Sequence, residues 1–378
     1  MKRNRNAEVV IANANIVLPD RILSNGVLIL QDERIVDISC EPVTTQFIDF
    51  GGDFIIPGLI DLHVHGCGGY DTMDTGAGSL QKMASALLKQ GTTAFLATTM
   101  TAPESQLQAV LAAGKTFCQV NSQAELLGFH MEGPCISPNF RGAQKKADLS
   151  ESPVALTAEV KILTLAPEMA AASQYIKMAQ EVGIILSAGH SGASYEQMQA
   201  AIDAGIHYVT HAFNAMPGIH HRRPGLLSAA LLDSRVTIEL IADGVHVHPA
   251  VLNLALRLKG PENVVLVSDG TRAVGMPDGE YDLGGQTVRL HQGKMTLPDG
   301  TIAGSAAPLL AGVRFMTKVA GRPLYEAVRM ATLNPARLMK QEDRLGSLEK
   351  GKEATFLRLS PGLMLNEIWV RGVKAGKA

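Results

Sequence analysis

The chain has 378 residues, with 36 acidic against 34 basic side chains, a formal net charge of -2 and 46% hydrophobic residues. That composition excludes low-hydrophobicity disorder and gives no basic excess for a nucleic acid or an anionic membrane surface. Its longest apolar runs, such as Val264-Val265-Leu266-Val267, fall far short of the roughly 20 residues of a membrane span.

The opening Met1-Lys2-Arg3-Asn4-Arg5 is not followed by the continuous apolar stretch of a signal peptide, so a cytoplasmic protein is expected. From residue 8 to 50, short alternating runs such as Val9-Val10-Ile11 and Val27-Leu28-Ile29-Leu30 are separated by turn chemistry and read as hairpins. Between 57 and 346 the pattern changes to apolar runs alternating with helical periodicity, which is how βα units around a parallel sheet read. The eight candidate strands are 59–65, 93–99, 126–132, 161–166, 184–190, 207–211, 237–243 and 264–269; helices are expected over 79–90, 104–120, 170–182, 195–204 and 249–259. After Gly346 the β style returns, in Ala354-Thr355-Phe356-Leu357 and Glu367-Ile368-Trp369-Val370. The expectation is an α/β protein: a (β/α)8 TIM barrel over 57–346, and a small β-sandwich domain formed from both termini, 1–56 and 347–378.

The polar residues of interest sit where those strands end: His63 and His65 on the first, Glu132 on the third, His190 on the fifth, His211 on the sixth and Asp269 on the eighth. In a barrel such ends converge on one face. His63-x-His65 puts two imidazoles on the same side of an extended segment, because side chains alternate. Nitrogen and carboxylate oxygen together suit a divalent metal, and a carboxylate can bridge two ions. The four cysteines (Cys40, Cys67, Cys118, Cys135) contain no C-x-x-C pair and make neither a disulfide framework nor a zinc ribbon; Cys67 and Cys135 read as packing residues. His130 should share the face of Glu132 but lie deeper, as a structural residue. Of His246 and His248 after the seventh strand, His246 stands nearer the strand end and is the candidate for substrate contact. The basic loop His220-His221-Arg222-Arg223 follows the sixth strand, where a guanidinium could bind phosphate.

Pro57-Gly58-Leu59-Ile60-Asp61-Leu62-His63-Val64-His65-Gly66 resembles the metal-binding opening of the amidohydrolase superfamily. His130-Met131-Glu132-Gly133-Pro134, Ser187-Ala188-Gly189-His190-Ser191, Thr210-His211-Ala212-Phe213-Asn214-Ala215-Met216-Pro217 and Ala242-Asp243-Gly244-Val245-His246 are similar to its branch that deacetylates amino-sugar phosphates. The resemblance runs from about residue 8 to residue 371 and implies the barrel with its composite β domain, in a homodimer. It implies metal ligation by Glu132, His190 and His211, with Asp269 as catalytic acid/base. Members differ at the first-strand pair, and two histidines there imply a second ion bound by His63 and His65 with Glu132 bridging. One or two divalent ions are thus expected, zinc foremost, with iron, manganese or cobalt as alternatives. Asn214, the Ala215 backbone, Arg222 and His246 match positions that hold the sugar phosphate. The implied reaction is removal of the N-acetyl group from N-acetylglucosamine-6-phosphate, with the galactosamine epimer or another N-acyl substrate as the alternative. Three segments depart from the pattern: Thr98-Thr99-Met100-Thr101 has no counterpart to a phosphate-binding histidine given to a partner subunit, Asp269 is followed by Gly270-Thr271-Arg272, and 303–308 lacks the usual ending. The fourth strand, leading into Ala166-Pro167-Glu168, carries no lysine for a carboxylated bridge, which disfavours dihydroorotase-like chemistry.

Overall fold

In the computed structural model, which describes residues 8–150 and 152–377, the central apolar runs form eight strands. They are Leu59–Val64, Thr92–Thr99, Glu125–Glu132, Val160–Leu165, Ile185–Ala188, Tyr208–Val209, Thr237–Ile241 and Val264–Val267, each paired in parallel with the next. The eighth returns to the first through a Val64–Gly270 bridge and the bonds Asp269 N to His63 O (3.0 Å) and His65 N to Gly270 O (2.7 Å). Side chains fill the interior and helices cover the outside, so the first, second and eighth strands are buried along their whole length. This two-sided burial is why they read as continuous apolar runs and not as alternation. The basic opening on which the N-terminal reading rested lies outside the described residues.

The outer helices include Ser79–Lys89, Ala172–Val182, Tyr195–Asp203 and Pro249–Lys259, close to expectation. The second, Glu104–Lys115, ends earlier than the expected 120, where Phe117 N turns back to Gly114 O. Tyr195–Asp203 starts on a reciprocal cap, Ser194 and Gln197 each accepting from the other's amide, which halts the chain soon after His190.

Both ends of the chain build one second sheet. Phe54–Pro57 pairs in parallel with Glu8–Val17 and antiparallel with Phe356–Leu359, then runs directly into the first barrel strand. This sheet has its own core, including Ile11, Leu28, Ile35, Phe50, Phe356 and Trp369, with the last two rings stacked 5.4 Å apart. At the barrel end nearest this sheet, Glu125 pairs with Arg344 (2.6 Å) and Arg371 (3.4 Å), and Glu353 joins both arginines at 3.1 and 3.3 Å.

A four-stranded antiparallel insert, Gly279–Leu283, Gln286–His291, Lys294–Thr296 and Ile302–Ser305, follows the eighth strand and was not expected. Ser305 N donates to Asp269 O (2.8 Å) and Thr271 N to Ser305 O (2.9 Å), while Gln286 Nε2 reaches Ala143 O (2.6 Å) across the barrel mouth. Gly304 makes the stitch feasible: its φ is 68°, and a Cβ there would lie 3.0 Å from Asp269 O and 2.7 Å from the Thr271 side chain.

Candidate active site

The barrel places His190, His211 and Asp269 each two residues past the end of its strand, in left-handed backbone with φ of 48°, 28° and 48°. A non-glycine residue there costs about 1–3 kcal/mol and persists where the surroundings hold it. His211 N donates to the buried Glu239 carboxylate (3.0 Å), and Asp269 N to His63 O. Gly189 lets the fifth strand reach His190, since a Cβ would meet Thr164 and Thr210 side-chain atoms at 2.8 and 2.9 Å.

Three groups could hold an ion. Glu132, His190 and His211 form one and His63, His65 and Asp269 a second, both reaching the cavity; His63, His130 and Glu239 form a third, of which no member lines the cavity. Glu132 lies between the first two: its Oε1 is 3.0 Å from the Nε2 of both His190 and His211 and 3.5 Å from His63 Nε2, and its Oε2 is 3.6 Å from His65 Nε2. Asp269 Oδ1 is 3.5 Å from His63 Nε2 and 3.3 Å from His65 Nε2. All six residues of the first two groups are buried.

The donor chemistry fits a cation. His190 Nδ1 faces Phe140 O at 3.0 Å and His63 Nδ1 faces Glu239 Oε2 at 3.0 Å, so each of these nitrogens carries the hydrogen and each Nε2 presents a lone pair inward. Ring nitrogens crowd together there: His63 and His65 Nε2 are 3.3 Å apart, His190 and His211 Nε2 3.1 Å. Burial works against charge on His63, yet Glu239, Glu132 and Asp269 outweigh it and push its pKa up to about 10. Burial likewise opposes ionisation of Glu132 and Asp269, but the surrounding imidazoles hold both carboxyls below their usual range. The pocket therefore selects positive charge where the nitrogens converge, which a metal ion supplies in place of protons.

Glu239 and Gln144 are functional candidates that the sequence reading missed. Gln144 Nε2 donates to Glu132 Oε2 (2.6 Å) and its Oε1 accepts from Thr101 N and Oγ1 (2.8 and 2.9 Å), which fixes the carboxylate plane. Glu239 had a signal, an acid within the strand Thr237–Ile241; Gln144, in a loop, had none. His130 lies deep in the barrel as expected, bonded to Leu62 O and Thr164 Oγ1, with its pKa lowered to about 4 by burial and by His63. Burial pushes the Cys67 thiol up to about 12, so it packs as a neutral group.

A cavity of about 540 Å³ opens over the first two groups, lined by His65, Glu132, His190, His211 and Asp269 at its floor. Asn214, Ala215 and His246 line it too. His246 Nδ1 is held by Asp243 at 2.7 Å, which leaves Nε2 for a ligand; His248 instead caps the next helix through Ala250 N. Arg222 differs from expectation: the chain turns outward after Pro217, leaving Arg222 exposed and outside the cavity lining of its own chain. The guanidinium that lines the cavity is Arg141, whose Nη1 donates to Gln144 O at 2.6 Å.

Residues 54–373 match the model of the amidohydrolase family. The chain is 37% identical over 341 residues to the N-acetylgalactosamine-6-phosphate deacetylase of Escherichia coli O157:H7, covering 88% of this chain and 90% of that one. It is 36% identical over 360 residues to the N-acetylglucosamine-6-phosphate deacetylase of Lysinibacillus sphaericus, covering 92% of each. Among solved structures, the N-acetyl-D-glucosamine-6-phosphate deacetylase of Mycobacterium smegmatis in complex with N-acetyl-D-glucosamine-6-phosphate superposes with a TM-score of 0.91 at 29% identity, over 98% of this chain and 99% of that one. With strand-end histidines and acids gathered around one shared carboxylate and a match along most of its length, the chain belongs to the amidohydrolase family.

Proposed function

We propose that the protein hydrolyses the N-acetyl group of N-acetylglucosamine-6-phosphate to acetate and glucosamine-6-phosphate, in cytoplasmic amino-sugar catabolism. The hydrolytic part rests on the two ligand groups sharing Glu132 beneath an open cavity. The substrate rests on the names of the relatives, and the Escherichia coli relative keeps N-acetylgalactosamine-6-phosphate as the second reading. Glu132, His190 and His211 would hold one ion, and His63 and His65, with Asp269 beside them, a second. Nitrogen and oxygen donors suit zinc first, then iron, manganese or cobalt. Such an ion supplies Lewis-acid activation of water and of the amide carbonyl.

The chain's own groups do the rest. Asp269, ionised at neutral pH, accepts the proton of the attacking water and returns it to the amine nitrogen as the C–N bond breaks, because an unprotonated amine is a poor leaving group. Gln144 holds Glu132 still, and His246, tethered by Asp243, orients the sugar with Asn214 and the Ala215 backbone. Arg141, which lines the cavity, would take the phosphate. Arg222, exposed on its loop, would reach a phosphate across the interface of a homodimer.

Acetate release from N-acetylglucosamine-6-phosphate, N-acetylgalactosamine-6-phosphate and unphosphorylated N-acetylglucosamine tests this reading, with metal assayed in the same preparation. Release from the glucosamine phosphate, exceeding both others, is the expected result. Metal-loaded protein that releases acetate from none of them sinks the substrate assignment.

A further inference from the structure

Glu239 lies within the seventh barrel strand, fully buried, and is not part of the cavity lining. One atom, Oε2, accepts from His63 Nδ1 and from the His211 backbone N, both at 3.0 Å. Of the two ligand groups that reach the cavity, His63 belongs to one and His211 to the other. The second oxygen, Oε1, makes no hydrogen bond of normal length; it stands 4.0 Å from His130 Nδ1, whose hydrogen goes to Leu62 O, and the buried Tyr208 side chain interacts with the same carboxylate. A half-satisfied buried carboxylate in a strand of isoleucine and leucine is expensive unless positive charge lies close by. Positive charge on the His63 ring, from a proton or from an ion on its far side, would offset that cost, and hydrogen bonding to Nδ1 makes that ring's Nε2 a better donor to an ion. The same oxygen holds the left-handed turn that aims His211 at Glu132.

We propose that Glu239 is a positioning residue that couples the two ion positions, setting the His63 ring for one and the His211 turn for the other through a single oxygen. The proposal rests on the two-ion part of the function proposed above, not on the substrate. The test is metal counting and stepwise metal affinity on the full-length protein, by elemental analysis and cobalt(II) absorption, for the wild type, Glu239→Ala, Glu239→Gln and His63→Asn. The expected result is two ions per wild-type chain. Glu239→Ala should bind the ion on the His63 side about 10–100-fold more weakly, with a changed cobalt spectrum. Glu239→Gln keeps an oxygen in place without its charge and should fall between wild type and Glu239→Ala. Adding Glu239→Ala to His63→Asn should weaken the His63-side ion no further, because both act through one ring. A single ion in the wild type, or unchanged affinities and spectrum in Glu239→Ala, overturns the proposal. If Glu239→Ala does not fold, Glu239→Gln decides alone, and unchanged affinity and spectrum there overturn it. Metal is counted without substrate, so a failure to release acetate would sink the substrate reading and leave this one standing.

Discussion

The third barrel strand carries a glutamate at each end, and the two keep different company. Glu125, at its start, meets two guanidiniums, and Glu353 balances them, so two acids and two bases close on one another. Glu132, at the other end, meets four imidazole nitrogens at 3.0 to 3.6 Å. A guanidinium brings its own permanent charge and donors; an imidazole beside a carboxylate can carry a proton or, when neutral, offer a lone pair to a metal ion. One residue type on one strand thus serves as a structural clamp at one end and as part of a candidate coordination site at the other.

The largest effect expected from this contrast comes from removing the cation. Chelation, or Glu132→Gln, should abolish acetate release, with activity restored by added metal only in the chelated wild type; chelation should also lower the thermal midpoint, because ligand binding stabilises the folded state. Retained activity in metal-free protein would break the comparison. Asp269→Asn comes next, with kcat reduced about 10²–10⁴-fold while elemental analysis still finds the ion of Glu132, His190 and His211. Loss of that ion too would make Asp269 a ligand for the whole centre. Arg141→Ala should raise KM for the phosphorylated sugar about tenfold and leave the unphosphorylated sugar unchanged, which steady-state kinetics on both would read. Glu125→Gln should cost about 1 kcal/mol of stability, seen in the urea midpoint, and leave kcat alone; a drop in kcat there would mean the two ends of the strand are coupled.

Much of this was legible in the sequence because burial leaves a pattern. The eight strands show as apolar runs, and His63, His65, Glu132, His190, His211 and Asp269 stand out because each interrupts or ends one. The insert Gly279–Ser305 carried turn signals, Gly284-Gly285 and Pro298-Asp299-Gly300, but its strands are half exposed and lack a sustained apolar run. Gln144 was invisible because a loop amide acquires its role only when folding brings it against Glu132. Arg222 could not be placed from the sequence, because nearness to His211 says nothing of direction beyond Pro217-Gly218; it is exposed and outside the cavity lining of its own chain. Side chains on regular elements can be placed by periodicity; those on loops depend on contacts that no local pattern records.

The stitch between Ser305 and Asp269 makes the cavity wall and the proposed proton carrier neighbours in one covalent and hydrogen-bonded unit. Substrate range and chemistry are therefore not separable modules in this protein. Grafting the insert of a relative to change which sugar is admitted would also re-aim the carboxylate proposed to turn it over, unless Thr271, Gly304 and Ser305 travelled with the graft.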